Sequence, residues 1–241
     1  MAKIRLIDLV LNRGLSPDRD HARRIILAGN VLINGHRLSQ PATYVSSEVN
    51  ITFVDVSRPV SRAGRKLEHA LEEWTIPTDG AIAADIGAAS GGFTECLLER
   101  GVQRVYAIET GKGQLSWKLR QDPRVVVMEE TSILHLNHLP ELLSLVTIDT
   151  SWTPLRLSLP CVATLLKEEA DVIALLKPNY EIQDPSILIE GVLQDSAILL
   201  NVVDKFLDRA SEQGWRVLGH MKSPIKGDKG NIEWLVHLKF N

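Results

Sequence analysis

Ile82-Ala-Ala-Asp-Ile-Gly-Ala-Ala-Ser-Gly-Gly92 decides how this chain folds. Ala81–Ile86 is a short apolar run that reads as a buried strand. Gly87–Gly92 is a turn of small residues, and Phe93–Arg100 carries on as a helix. Gly87, Gly91 and Gly92 let the backbone approach a ligand and tolerate positive φ. The helix behind them opens with free N–H groups and a positive dipole end. In open α/β sheets ligands bind at the carboxyl ends of strands, where this turn falls.

Downstream, Arg104–Ile108, Val125–Met128, Leu145–Ile148 and Val172–Leu176 are further strand-like runs, with a helix over roughly 114–120. Helices of about ten residues or more are expected between the later strands, which implies a parallel sheet covered on both faces. Trp215–Gly219 and Glu233–Lys239 are joined by a polar loop too short for a long helix, so they pair antiparallel. The fold class is α/β, a Rossmann-like, mostly parallel sheet whose last strand is antiparallel. The turn lacks the Gly-Lys-Ser/Thr of a phosphate loop and is not a strict G-x-G-x-x-G. Glu109, about twenty residues on at the end of the second strand, is placed to accept from ribose hydroxyls. A turn of this kind also arises from tight packing alone. With Glu109 it favours a nucleoside cofactor, and S-adenosylmethionine fits better than a dinucleotide because there is one such half. Asp85, Gly87, Ala88, Ser90, Gly91, Gly92, Glu109, Ser132 and Asp149 are the candidate cofactor residues.

Upstream lies a smaller α+β unit. Leu6, Leu9 and Val10 recur at helical spacing, and Arg13-Gly14 stops that helix. Ser16 as N-cap and Pro17 at the first helical position start a second helix running to about Ala28-Gly29. Its apolar face is Ala22, Ile25 and Ile26, with Arg19, Arg23 and Arg24 elsewhere. Val31-Leu32-Ile33 before Asn34-Gly35 is a strand with a hairpin turn, and Asn50–Val54 a closing strand. The expected organisation is residues 1–55, a linker over 56–62, and a second domain over 63–241. Residues 1–60 carry eight Lys and Arg against five Asp and Glu, although the whole chain has a net charge of −3. A basic segment on an acidic body suggests that the small part meets a polyanion.

Hydrophobic residues make up 44% and charged residues 24%, ordinary for a soluble globular protein. No apolar run approaches the ~20 residues of a spanning helix, and the first residues lack a signal-peptide core. A cytoplasmic protein without a membrane role is expected. The two cysteines, Cys96 and Cys161, suit neither a disulfide framework nor a zinc site. His135 and His138 read as surface histidines, so no metal is expected.

Four charged residues stand at element ends in apolar or small-residue surroundings: Lys66, Asp149, Lys177 and Glu233. Neighbouring strand ends lie about 5 Å apart, so Asp149 and Lys177 can converge beside the turn. A hydroxyl needs a base to become a good nucleophile, and a lysine can serve where burial and a second cation ease its deprotonation. Two ordinary ion pairs capping strand ends are the competing reading. Trp152 and Tyr180 flank these residues and could stack a displaced base or pack in the core. Lys222, Lys226 and Lys229 in the last loop could touch phosphate.

In order along the chain, Arg13-Gly-Leu, Ala28–Gly35, Ser61–Glu68, Asp85–Phe93, Gly113–Val127, Ile148–Ser151, Leu176–Glu181, Ser223-Pro-Ile and Gly230–Glu233 resemble the TlyA or hemolysin A family over nearly the whole length. In that family an S4 domain precedes an FtsJ-like ribosomal RNA 2′-O-methyltransferase domain. The resemblance implies that Lys66, Asp149, Lys177 and Glu233 form a Lys-Asp-Lys-Glu tetrad, with Lys177 as base or orienter. Asp149 and Glu233 would position, and Lys66 would bias the Lys177 proton and contact the RNA backbone. It further implies ribosomal RNA or ribosomal subunits as partner, with Arg5, Arg19, Arg23, Arg24, Asn34 and Arg62 as RNA-binding candidates. Departures from the pattern are Ile7, Glu109, Lys112, Thr150, Trp152 and a shortened loop over 182–191. The rival readings are a catalytically weakened RNA-binding or ribosome-assembly factor on the same fold, and a membrane-active cytolysin.

Overall fold

The computed structural model describes residues 3–16, 18–53, 62–182 and 184–241. The chain divides into two compact units, Met1–Pro59 and Val60–Asn241.

In the first unit β1 (Lys3–Arg5) leads into α1 (Leu6–Asn12), followed by α2 (Arg19–Leu27), β2 (Val31–Ile33), β3 (His36–Arg37), β4 (Tyr44–Ser46) and β5 (Ile51–Phe53). Leu6, Leu9 and Val10 of α1 and Ala22 and Ile26 of α2 pack with Val31 and Ile33 in one small core. β2 pairs antiparallel with both β3 and β5. The hairpin turn needs two left-handed residues, and Asn34 (φ 48°) and Gly35 (φ 83°) supply them. Two features differ from expectation. Asp18, not Ser16, caps α2, accepting from the His21 N–H at 2.7 Å, while the Ser16 hydroxyl turns to the Asp18 carbonyl. Pro17 lies outside the described residues. β1 and β4, an antiparallel pair, are additional strands.

The second unit begins with α3 (Arg62–Glu73) and continues through β6 (Ile82–Ile86), α4 (Gly92–Glu99), β7 (Arg104–Ile108), α5 (Trp117–Arg120), β8 (Val125–Met128), β9 (Leu143–Ile148), α6 (Leu155–Ala163), β10 (Leu166–Leu176), α7 (Pro178–Glu181), α8 (Ser196–Glu212), β11 (Trp215–Lys222) and β12 (Trp234–Phe240). Arg62, expected in a linker, opens α3; residues 56–61 of that linker lie outside the described residues. The seven strands are ordered β11-β12-β10-β9-β6-β7-β8. The pairs from β10 to β8 are parallel, and β12 runs antiparallel between β10 and β11.

Strand alternation sorts the side chains to two faces. Ala83, Val105, Leu145, Ile173 and Leu175 pack under α3 and α4 through Leu67, Leu71, Phe93 and Leu97. Ala84, Ile86, Ile108, Val146, Ile148 and Leu176 face α6 and α8 through Leu159, Val162, Leu199, Val203 and Phe206. Cys96 is buried in the first of these layers, and burial pushes its thiol up to about 12, which leaves it inert. Two expectations are corrected here. α5 occupies only the end of the segment 114–120. Only a short 3-10 turn, Ile133–His135, separates β8 from β9, because Asn137 and Pro140 interrupt any helical run between them.

The chain passes from β6 to β7 and β8 on one side, then crosses to β9 on the other. The carboxyl ends of β6 and β9 therefore bound the crevice in which such sheets take ligands.

Candidate active site

Ile86 and Ile148 are register partners, so the next residues, Gly87 and Asp149, leave the sheet side by side. The Asp149 N–H donates to the Ile86 carbonyl at 2.9 Å, and the Gly87 N–H to the Ile108 carbonyl at 2.9 Å. Gly87 (φ +85°) cannot be replaced without collision, since a Cβ there would strike the Asp149 carbonyl. At Gly91 a Cβ would meet only the movable ends of the Leu115 and Leu119 side chains, and its φ of +98° is what calls for glycine.

Asp85 lies beneath this turn, fully buried on the α4 side. Gly91, the N-cap of α4, has no side chain to cap with. Asp85 does so from the strand, accepting from the Thr94 N–H at 2.8 Å and the Thr94 hydroxyl at 2.7 Å. Burial pushes the Asp85 carboxyl up to about 6, against the hydrogen bonds from Thr94 and with the Asp149 charge adding to the rise.

Two cavities open on either side of Gly87 and Asp149. One, of about 330 Å³, is lined by Ile86, Ile108, Glu109, Gln114, Thr131 and Ile133, and reaches Ser151 and Trp152. Glu109 Oε2 accepts from the Ala89 N–H at 3.0 Å and Oε1 from the Gly111 N–H at 2.8 Å, tying the carboxylate to the turn. Ala89 itself has φ 46°. Glu129, after β8, shapes the next loop by accepting from the N–H groups of Gly113 and Gln114, each at 2.8 Å, and from Arg120. Burial alone would raise its carboxyl; Arg120 and the backbone donors bring it down to about 2.

The other cavity, of about 290 Å³, brings together Lys66 from α3, Asp149 after β9, Lys177 after β10 and Glu233 before β12, and Arg62, Ser90, Gly92 and Lys226 also line it. Lys66 Nζ lies 2.5 Å from Glu233 Oε2, with both side chains nearly buried. Lys177 Nζ lies 2.6 Å from Asp149 Oδ1 and donates to the Thr150 carbonyl at 3.0 Å. Burial raises the Glu233 carboxyl above the usual glutamate range, while Lys66 and Lys177 pull it down. The four residues therefore form two facing ion pairs that sense one another.

Of the expected cofactor residues, Gly87, Ala88, Ser90, Gly92, Glu109 and Asp149 line one or both cavities, whereas Asp85, Gly91 and Ser132 do not. Ser132 caps the 3-10 turn by accepting from the Leu134 N–H. Ala89, Gln114, Thr131 and Ile133 were not singled out from the sequence; only the position of Thr131 and Ile133 after a strand end could have pointed to them. Gly227 was missed for a different reason: a Cβ there would collide with the Glu233 carboxylate, a contact across the last loop. Trp152 is 86% exposed, its ring 6.0 Å from that of Tyr180.

In the first unit Arg5, Arg19 and Arg23 line a shallow concavity with Ile7, Asp20, Leu27 and Pro41. Arg19 pairs with Asp8 at 2.8 Å, and Arg24 is exposed on α2. Asn34 accepts from the Asn50 N–H at 2.9 Å and braces the hairpin. Arg62 lies instead in the second unit, donating to the Lys226 carbonyl at 3.4 Å. Among the described residues no group of three or more His, Cys, Asp or Glu could hold a metal, and no helix is long and apolar enough to cross a membrane.

Residues 59–240 match the model of the FtsJ-like methyltransferases and residues 4–51 that of the S4 domain. The chain is 39% identical over 246 residues to the 16S/23S rRNA (cytidine-2′-O)-methyltransferase TlyA of Mycobacterium tuberculosis, covering 99% of this chain and 91% of that protein. It is 35% identical over 237 residues to Hemolysin A of Brachyspira hyodysenteriae, covering 97% and 99%. Among solved structures, the "Putative hemolysin from Streptococcus thermophilus" superposes with a TM-score of 0.74 at 36% identity, covering 100% of this chain and 90% of that one.

Proposed function

Since the chain belongs to the FtsJ-like methyltransferase family and carries an S4 domain ahead of that domain, we propose that it methylates a ribose 2′-hydroxyl of ribosomal RNA, using S-adenosylmethionine. The observation that carries this reading is the meeting of Lys66, Asp149, Lys177 and Glu233 in one cleft that shares Gly87 and Asp149 with the cavity of Glu109. The relative from Mycobacterium tuberculosis, named for cytidine 2′-O-methylation of 16S and 23S rRNA, supports the substrate class.

The cofactor suits the residues present. Apolar Ile108 and Ile133 offer faces for an adenine ring, Glu109 offers a carboxylate for ribose hydroxyls, and the lack of a side chain at Gly87 lets the turn close against the Asp149 backbone. When bound, S-adenosylmethionine supplies an electrophilic sulfonium methyl. Lys177 would orient the 2′-hydroxyl and, as the neutral amine, hold the proton that the hydroxyl gives up. Asp149 holds the Lys177 head group in place, and Glu233 holds Lys66. Lys66, which lines the same cleft, would bias the Lys177 proton and contact the RNA backbone. Attack by an oxygen nucleophile on a cation disperses charge, so a cleft that excludes water favours it. Arg5, Arg19, Arg23 and Arg24 in the 1–55 domain bind phosphate, and Arg62 meets RNA at the mouth of the cleft. Ribosomal subunits as partner put the protein in the cytoplasm. No specific observation favours the assembly-factor or cytolysin readings.

The test is incubation with methyl-labelled cofactor and ribosomal subunits, then mapping of 2′-O-methyl sites. Label in RNA is expected from the parent and none from Lys177→Ala, with cofactor affinity nearly unchanged in the variant. An active Lys177→Ala enzyme would remove the proposed base, and a parent that labels no RNA would overturn the reading.

A further inference from the structure

α6 begins without a cap of its own. Its N-cap residue is Pro154, which offers no side-chain hydrogen bond, although the first turn of a helix leaves N–H groups unpaired. The missing acceptor comes from another strand end. Glu181, the last residue of α7, accepts from the Leu155 N–H at 2.6 Å through Oε1 and from Arg156 Nη1 at 2.9 Å through Oε2. Its side chain is only 5% exposed, and Arg156 also donates to the Tyr180 carbonyl at 3.2 Å.

The consequence is a closed ring. The segment from Asp149 to Leu155 and the segment from Lys177 to Glu181 are joined at their starts by Lys177, which reaches Asp149 and the Thr150 carbonyl, and at their ends by Glu181. Trp152 and Tyr180 belong to the two halves of that ring, with their aromatic centroids 6.0 Å apart and Trp152 exposed. A carboxylate at a helix start is the anion such a terminus favours, so the clasp gains from charge as well as from hydrogen bonds. We infer that Glu181 is a positioning residue: it fixes the loop of Asp149 against the turn of Lys177, so that both reach the reacting ribose in one geometry.

This inference rests on the methyltransferase reading for its catalytic consequence, but the clasp can be tested without activity. Protein labelled with 5-fluorotryptophan gives five resonances, one for each tryptophan, and Trp152→Phe assigns the one in the ring. In Glu181→Gln the Trp152 resonance is expected to shift and broaden while the other four stay. In steady-state assays kcat is expected to fall at least tenfold, with KM for the cofactor within twofold. Arg156→Gln, which leaves the Leu155 bond in place, should give the same changes more weakly. An unmoved Trp152 resonance with kcat within twofold would overturn the inference, as would resonances that all move together. If Glu181→Gln does not fold, Arg156→Gln decides by the same resonance. A parent chain that labels no RNA overturns the methyltransferase reading, and the fluorine spectra still judge the clasp.

Discussion

Gly87 packs so closely against the backbone of Asp149 that a side-chain carbon would collide with the Asp149 carbonyl. The contact joins the two strand ends that bound the crevice, so the floor of the Glu109 cavity and the position of Asp149 are one structural fact. Gly87→Ala must open this contact and hold an alanine at positive φ, a cost of about 1–2 kcal/mol before the collision is counted. The expected result is a lower melting temperature and at least tenfold weaker binding of S-adenosylmethionine by calorimetry. Unchanged affinity would show that the ligand does not use this turn.

The Lys66–Glu233 pair is nearly buried on both sides. Removing one partner leaves the other charged group without its counter-ion, which costs about 3–5 kcal/mol in such sites. Lys66→Met should therefore destabilise the protein strongly in denaturant unfolding. Adding Glu233→Gln should restore a large part of the loss, and both variants are expected to lose methyl transfer. A double-variant loss equal to the sum of the Lys66→Met and Glu233→Gln losses would mean that the pair is not coupled.

Two carboxylates give the pH profile of stability opposite slopes. Glu129 is held at about 2, below its unfolded value. Its contribution is present above pH ~4.5, amounts to about 3 kcal/mol, and is lost as pH falls toward 2. Asp85 is raised to about 6, so the fold favours its protonated form. That contribution is present below pH ~4 and lost as pH rises through about 6. Glu129→Gln should flatten the acid limb of unfolding free energy against pH. Asp85→Asn should gain on the parent by up to about 3 kcal/mol between pH 4 and 7. A constant difference across that range would show that Asp85 does not titrate there.

In the first unit, Arg23 and Arg24 are exposed on α2, whereas Arg19 is partly neutralised by Asp8. Replacing all three by Gln should weaken RNA binding and lower the slope of log affinity against log salt by about 2–3. Arg19 alone should have the smallest share. An unchanged slope would place the RNA face elsewhere.

The strands were legible because buried parallel strands write continuous apolar runs; Glu109, Asp149 and Lys177 follow such runs and Glu233 precedes one, whereas Lys66, expected at an element end, lies within α3. Features that depend on contacts across the chain were not. β1 and β4 are three residues each, too short for alternation to mark them. Asp85 reads from sequence as a ligand contact because it adjoins the glycines, yet strand parity turns it under α4, where it caps a helix that starts with glycine. Glu181 does the same for α6 from 26 positions away, and no local pattern announces that. Ser16 reads from sequence as the cap because it precedes Pro17, yet Asp18 accepts from the His21 N–H and caps α2.

The insertion of β12 between β10 and β11 sets an order in time. The turn after β6 and its partner Glu109 leave the ribosome early in synthesis, whereas Glu233 emerges more than 120 residues later. The strand ends that bound the crevice, β6 and β9, are thus complete in the chain well before Glu233 is. The final acid of the tetrad arrives only when the last strand slots into a sheet already built on both sides. Any fragment ending short of Glu233 lacks the carboxylate that Lys66 pairs with and the interior strand that follows it.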